Sequence, residues 1–500
     1  MFKELTKVFG ETIVYGFTGI ASALASVFLV PFYTRVLTPE DYGISALLGT
    51  LFAVLAVVAN MGMSSAIFWS YFRAKEKERP DIAGTAFISQ TVLPLFISLI
   101  ILLVSDFVSR VLFGHGGNSF LVVLSAIALF FNTGITIPLA LLRAEGRPVN
   151  FVSINLAKLF STILFSIILV VVLRLGLVGV FWANLAGAFL GYLMGLGYAL
   201  PRIKLTFSWY WLKDMLEFGA PMVPAGLAMW AINSSDRYFL NAFTSTADVG
   251  IYNVGYKVGM IVTLVAGALQ LAYPRFMFSI YNSKPDAKEY FKKINTYFYL
   301  LLFTCALPLS IFAKEAVQIL TGSAFHSAYI VVPFIAFSYV AFGLYQNFGT
   351  GVSVVKKTYL STFATLIAGG SNLLLNYTLI SRLGMIGAAV STLLSFLILA
   401  LTELYFSQRV YPIRFEFRRL FVATAVGGVL VYTASVVKFG LLASLGVKAL
   451  IFLAFLPLLY LFGFFEEREL RKLVQMWTIA KKSRFRPKII LDSIRQEMIT

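Results

Sequence analysis

The chain has 500 residues, of which 59% are hydrophobic and only 13% charged, with a net charge of +18. Soluble domains carry about 25% charged residues, and the mean hydropathy here is +0.84, so a soluble globular protein is excluded and an integral membrane protein expected. One cysteine, Cys305, excludes an intramolecular disulfide.

Apolar runs long enough to cross a bilayer recur about fourteen times. They cover residues 11–33, 42–70, 83–105, 119–142, 150–173, 177–200, 217–240, 248–275, 294–313, 327–355, 358–380, 384–406, 420–437 and 445–465. The first follows Lys3 and Lys7 like a signal peptide, but it runs on to Pro31 without a small-residue cleavage site, so it reads as a retained helix. The tail 466–500 is polar and basic, with Arg471, Lys472, Lys481, Lys482, Arg484, Arg486 and Lys488. It is either a solvated end or an amphipathic helix on anionic lipid.

Alternating loops sort the cations. One side carries 31 of the 41 Lys and Arg, the other carries seven, including Arg35, Arg110, Arg174 and Lys448, and three lie within the spans. Basic loops face the cytoplasm. Both termini are therefore expected to be cytoplasmic, in the cell (inner) membrane.

The halves repeat. Asp41-Tyr42-Gly43-Ile44 recurs as Asp248-Val249-Gly250-Ile251, and Arg174-Leu175-Gly176 as Arg382-Leu383-Gly384, at offsets of 207 and 208. Each repeat holds an even number of spans, so the halves share one orientation, as in parallel-repeat transporters with a site between the halves. The expected fold is all-α. A six-helix lobe at 1–200 and another at 217–406 precede two additional helices at 420–465 and the tail.

Three cations, Lys158, Arg237 and Lys257, fall inside the spans. A central cation costs roughly 2.5–3.5 kcal/mol on insertion scales and marks a bundle interior or wet cavity. Lys158 lies about 12 Å into the fifth span at 1.5 Å per residue, with Asn155 and Thr162 on its face. Lys257 lies in the eighth span, one turn after Asn253. Snorkelling or pairing with a carboxylate is the alternative to a polar lumen for both. Arg237 is within a turn of the outer end of the seventh span, beside Asp236. That pair is either structural, or Asp236 binds a coupling ion. Pro221 and Pro224 open the same span as a hinge or as an ordinary helix start. Arg35 closes the first span, where a cation meets a substrate anion or caps the helix.

Enzyme constellations are absent. His115 and His326 read as outer-loop residues, with a paired pH sensor as the alternative, and lone carboxylates such as Glu145 read as loop charges. No cysteine–histidine spacing suits a metal, no cofactor is implied, and no glycine loop suits a nucleotide.

Pro31 to Gly43 resembles the helix 1–2 signature of the polysaccharide flippases, the O-antigen and exopolysaccharide transporters of the multidrug/oligosaccharidyl-lipid/polysaccharide exporter superfamily. Ser235-Asp236-Arg237-Tyr238-Phe239-Leu240 and Val249-Gly250-Ile251-Tyr252 resemble its helix 7–8 segment, and Arg143-Ala144-Glu145-Gly146-Arg147 and Lys356-Lys357 its inner loops. The resemblance covers the whole chain. It implies alternating-access transfer of a polyprenyl-diphosphate-linked oligosaccharide to the outer face. Membrane lipids are the other partners, with sodium or protons as a candidate coupling ion and no nucleic acid. Lys158, Lys257 and Arg237 or Arg35 are then candidates for the diphosphate or acidic sugars. Competing readings are a peptidoglycan-precursor flippase, a cation-coupled multidrug exporter and a membrane glycan polymerase or ligase. A basic lumen argues against the exporter, and short outer loops argue against the enzyme.

Overall fold

The computed structural model describes residues 18–437, 439–467, 469 and 471. Lys3, Lys7, Lys438 and the tail beyond Arg471 lie outside them. Among the described residues every regular element is helical. The chain forms two compact units, Met1–Phe415 and Glu416–Thr500.

The first unit contains α1 (Thr18–Val36), α2 (Pro39–Arg73), α3 (Glu76–Leu103), α4 (Gly116–Ala144), α5 (Pro148–Val172) and α6 (Gly176–Ala199). The second half of that unit opens with α7 (Trp209–Ser234), which resumes as Asp236–Phe243. In α8, Thr246–Gly259 bends by 49° into Val262–Gln270. After α9 (Ala287–Ile311), α10 joins Ser323–Ile330 to Val332–Val354 at 47°.

Among the described residues eleven to thirteen segments are long and apolar enough to cross a membrane, against the fourteen expected. The difference lies in Tyr359–Val410, a 52-residue helical stretch. Asn372 Nδ2 donates to Ser395 Oγ at 3.0 Å, although a straight helix would separate them by about 34 Å. The chain therefore doubles back, at Gly384, whose φ of 53° and ψ of −129° are non-helical. We label the limbs α11 (Tyr359–Leu375, continued by the wider turn Asn376–Ile380) and α12 (Ser381–Val410).

The repeat seen in sequence has a backbone counterpart. A π-helical turn ends α5 at Ile167–Val172 and another follows α11 at Asn376–Ile380. Gly176 and Gly384, which follow them, both have positive φ, a conformation that costs glycine little. Each half also starts its second helix with the same cap. Thr38 Oγ1 accepts from the Asp41 amide and Asp41 Oδ2 from the Thr38 amide, at 3.1 and 3.0 Å. Ser245 Oγ accepts from the Asp248 amide at 3.1 Å. These caps satisfy amides that the helix itself cannot.

Close packing inside each half depends on small residues, as expected where lipid supplies no hydrophobic drive. Gly187, Gly191 and Gly195 line α6 at every fourth position and face α5, Ile135 and Pro138. A β-carbon on Gly187 would lie 1.9 Å from Thr162 Oγ1 and 2.9 Å from the Lys158 carbonyl oxygen.

The second unit contains α13 (Phe417–Val436) and α14 (Leu441–Leu461). Two cations differ here from their expected loop positions. Lys448 is buried within Leu441–Leu453. Arg419 is also buried, pairing with Glu416 and Glu469 at 2.9 and 2.7 Å and stacking on Phe464.

Gly187→Val should cost about 1–3 kcal/mol through overpacking. Gly197→Val, on the same helix with nothing within 4 Å, should cost much less. Thermal unfolding of the purified variants in detergent compares the two.

Candidate functional site: the seam between the halves

The halves meet where the two repeated caps cross. A β-carbon on Gly43 of α2 would lie 1.8 Å from the Thr246 carbonyl oxygen, and one on Gly250 of α8 would lie 1.9 Å from the Pro39 carbonyl oxygen. Thr246 and Gly250 are the repeat mates of Pro39 and Gly43, at the 207-residue offset. The contact is thus reciprocal, as at a two-fold axis. Only glycine allows backbones this close.

More contacts tie the halves at the same end. The Gly322 amide donates to Thr34 Oγ1 at 3.2 Å, and Asn241 Nδ2 donates to the Leu112 carbonyl at 3.0 Å. Arg35 is exposed; its guanidinium donates to the Pro31 carbonyl of its own helix and to the Ile319 carbonyl across the seam, at 3.3 and 3.5 Å. It therefore sits on helix-end carbonyls, where a cation suits the dipole. Leu29, Val30, Tyr42, Val254, Val258 and Phe325 build an apolar core beneath.

Lys257 lies on the same seam. Its ammonium donates to Tyr42 OH at 3.3 Å and sits 4.9 Å from that ring centroid. Tyr42 meets Tyr33 edge-on, and Tyr33 OH donates to Ser166 Oγ of α5 at 2.7 Å. Lys257 thus reaches across to the first half, and all of these contacts are with neutral groups.

Lys158 takes a different partner. Its ammonium donates to Asn132 Oδ1 of α4, while its Cβ stands beside the space that Gly191 leaves open. Phe160 and Leu164 on the same helix are 62% and 56% exposed. At 100° per residue Lys158 points about 160° away from Phe160, so it turns inward with Asn155 and Thr162. Lys158 and Lys257 share no hydrogen-bond partner.

Asp236 and Arg237 form a closed pair. Both are buried, and Arg237 Nη1 donates to Asp236 Oδ1 at 2.7 Å and to the Asn233 carbonyl. Asp236 Oδ2 accepts from Tyr252 OH and, at 3.3 Å, from Thr392 Oγ1. The guanidinium lies over Tyr256, 4.2 Å from its centroid, and Tyr256 OH meets Tyr339 OH at 2.9 Å. Next to the pair, Ser235 Oγ donates to Asn372 Oδ1 at 3.0 Å, and Asn376 Nδ2 donates to both, at 3.0 and 2.9 Å. Arg237 balances the charge of Asp236.

A family model for polysaccharide biosynthesis proteins matches residues 32–330. The chain belongs to that family. It is 24% identical over 424 residues to a probable low-salt glycan biosynthesis flippase, Agl15, of Haloferax volcanii, covering 84% of this chain and 87% of that one. It is 22% identical to the succinoglycan biosynthesis transport protein ExoT of Rhizobium meliloti over 62% of this chain and 61% of that one. Among solved structures, the lipid II flippase MurJ in an inward closed conformation superposes with a TM-score of 0.69 at 13% identity, over 92% and 99% of the two chains. A variant of the Vibrio cholerae MATE transporter VcmN gives 0.59 at 14% identity, over 81% and 96%. The fold is thus that of MurJ and the MATE transporters.

In this polysaccharide biosynthesis family member, the neutral partners of the cations had no sequence signal. Tyr42 and Asn132 sit far from Lys257 and Lys158 along the chain. Glu145 corrects the expectation of a lone loop charge: it accepts from Arg147 and Arg202 Nε at 3.0 and 3.2 Å. His115 Nδ1 accepts from the Gly117 amide at 3.2 Å, a local turn contact. Pro221 lies in a 3-10 turn between Trp209–Gly219 and Val223–Ser234, and Pro224 opens the latter, so the helix starts eight residues earlier than expected.

Removing one member of a buried ion pair strands the other, at about 3–5 kcal/mol. Asp236→Ala should therefore lower the unfolding midpoint sharply, and Asp236→Asn with Arg237→Met should recover much of the loss. Thermal unfolding in detergent reads both.

Proposed function

We propose that the chain is a flippase for a polyprenyl-diphosphate-linked oligosaccharide, moving it from the cytoplasmic to the outer face of the cell membrane by alternating access. The carrying observation is that Lys158 and Lys257 are membrane-embedded cations with neutral hydrogen-bond partners, Asn132 and Tyr42. A neutral partner solvates an ammonium but leaves its charge uncompensated, so an anionic group gains the full attraction in a medium of low dielectric. Arg237 is the contrast, since Asp236 already balances it.

The family match and the names of the two glycan relatives support a glycan cargo. A diphosphate cannot cross bare hydrocarbon, so its transfer needs an inward-facing basic path. In this reading Lys158 and Lys257 receive the diphosphate or acidic sugars, one from each half. Arg35 works as a latch across the seam, and Asp236–Arg237 holds the second half together.

The reciprocal crossing of α2 and α8 then serves as the outer gate, in a membrane orientation taken from loop charge. Closure needs Gly43 and Gly250 to admit the opposing backbone, and opening parts the carbonyl contacts, the hydrogen bonds of Thr34, Asn241 and Lys257, the apolar core beneath them and the latch of Arg35 on Ile319. The bend of α8 after Gly259 lets its inner limb diverge from the seam.

Two measurements test this. Lys158→Gln with Lys257→Gln, at normal membrane abundance, should abolish surface glycan and leave the lipid-linked oligosaccharide inside the cell; wild-type surface glycan would overturn the assignment. A lipid-linked peptidoglycan precursor accumulating instead would move the cargo to cell-wall synthesis. Separately, Gly43→Val should cut export at least about tenfold, the equivalent of 1.4 kcal/mol. Gly49→Val, exposed and with nothing within 4 Å, should export normally.

A further inference from the structure

Glu403 lies on α12, seven residues before its end, and is fully buried. Its Oε1 accepts from Ser361 Oγ of α11 at 2.6 Å. Its Oε2 has no hydrogen-bond partner, and no described basic side chain pairs with it. Asp236, equally buried, has Arg237. An unpaired buried carboxylate costs several kcal/mol, so its retention calls for a neutralising partner.

The surroundings define that partner. Glu403 lines a cavity of about 390 Å³ together with Tyr273, Gln346, Asn347, Thr350 and Ser361. Gln346 Oε1 and Asn347 Oδ1 accept no hydrogen bond, Asn347 Nδ2 donates none, and Asn347 is 2% exposed. Farther along α12, Ser407 Oγ is unpartnered too. The helix Val332–Phe348 ends here, at Gly349, where a β-carbon would lie 3.0 Å from Glu403 Oε1. The last carbonyls of a helix carry the negative end of its dipole, and broken helices supply such carbonyls to ions.

We propose that this cavity is a binding site for a monovalent inorganic cation, anchored by Glu403. A single proton on Oε2 would satisfy one acceptor and leave other orphan oxygens unsatisfied. A cation satisfies several oxygens at once. The donor set is all oxygen, which suits a hard ion, and one carboxylate balances one positive charge. The room left over holds water around the ion. Use of this ion to drive transport rests on the flippase reading above; its binding does not.

The test uses the purified full chain in detergent, titrated with sodium chloride or potassium chloride against choline chloride at constant ionic strength. Binding to the folded state raises the unfolding midpoint as cation saturates the site. The expected result is a saturable rise with sodium or potassium that is absent in Glu403→Gln. In choline, Glu403→Gln should itself melt higher than wild type, because a buried charge is gone. Asn347→Leu should retain the rise but need about tenfold or more cation for half its extent. No saturable response to either cation, or an undiminished one in Glu403→Gln, overturns the site. If the response holds while the Lys158 and Lys257 variant exports glycan normally, the cation site stands and the cargo assignment falls.

Discussion

The contact on which the arrangement of the first unit depends is the crossing of α2 and α8. Two backbones approach there more closely than any side chain permits, twice, at positions related by the repeat. Everything else at that end is fixed by it. The caps Thr38–Asp41 and Ser245–Asp248 start both helices in register, so each glycine meets the first turn of the opposing helix. Tyr42, next to Gly43, is thereby carried to Lys257. An isologous contact of this kind is self-consistent: any change that widens one glycine crossing widens the other.

Cost sorts the embedded charges. Each must be neutralised, solvated by neutral dipoles or exposed, and the chain uses all three. Arg237 is neutralised by Asp236 and covered by Tyr252 and Tyr256. Lys158 and Lys257 are solvated by an amide and a phenol, which leaves their charge to act at a distance. Arg35 is exposed at the end of its helix. The same residue type therefore means different things in different places, and the partner's charge tells them apart.

Much of this was legible in the sequence. Hydropathy located the helices, the 207-residue offset paired Gly43 with Gly250 as repeat mates, and loop charge set Lys158, Arg237 and Lys257 apart but left the buried Lys448 and Arg419 among the loop cations. The hairpin at Gly384 was also readable, because Arg382-Leu383-Gly384 repeats a turn signal. What escaped was pairing between distant segments. Asn132 and Lys158 are 26 residues apart, Tyr42 and Lys257 are 215 apart, and no local pattern joins them. Glu403 escaped for a different reason. A search for embedded cations passes over a single embedded carboxylate, although the same cost applies to it.

The repeat is kept where the halves must fit together and lost where polar groups are placed. Gly43 and Gly250 are mates, as are Thr38 and Ser245. The mates of Asp236 and Arg237, 207 residues earlier, are Leu29 and Val30, both in an apolar core. The mate of Lys257 is Thr50, whose carbonyl instead accepts from Trp230 Nε1 at 3.0 Å. With the 208 offset, the mates of Asn372, Asn376 and Lys158 are Leu164, Ile168 and Leu366. Packing thus imposes a two-fold constraint on the backbone and almost none on the polar side chains. The Asp236–Arg237 pair and its polar neighbours lie in the second half, with one lysine on a neutral partner in each half, so the two-fold constraint acts on the seam and the polar groups answer to each half's own interior.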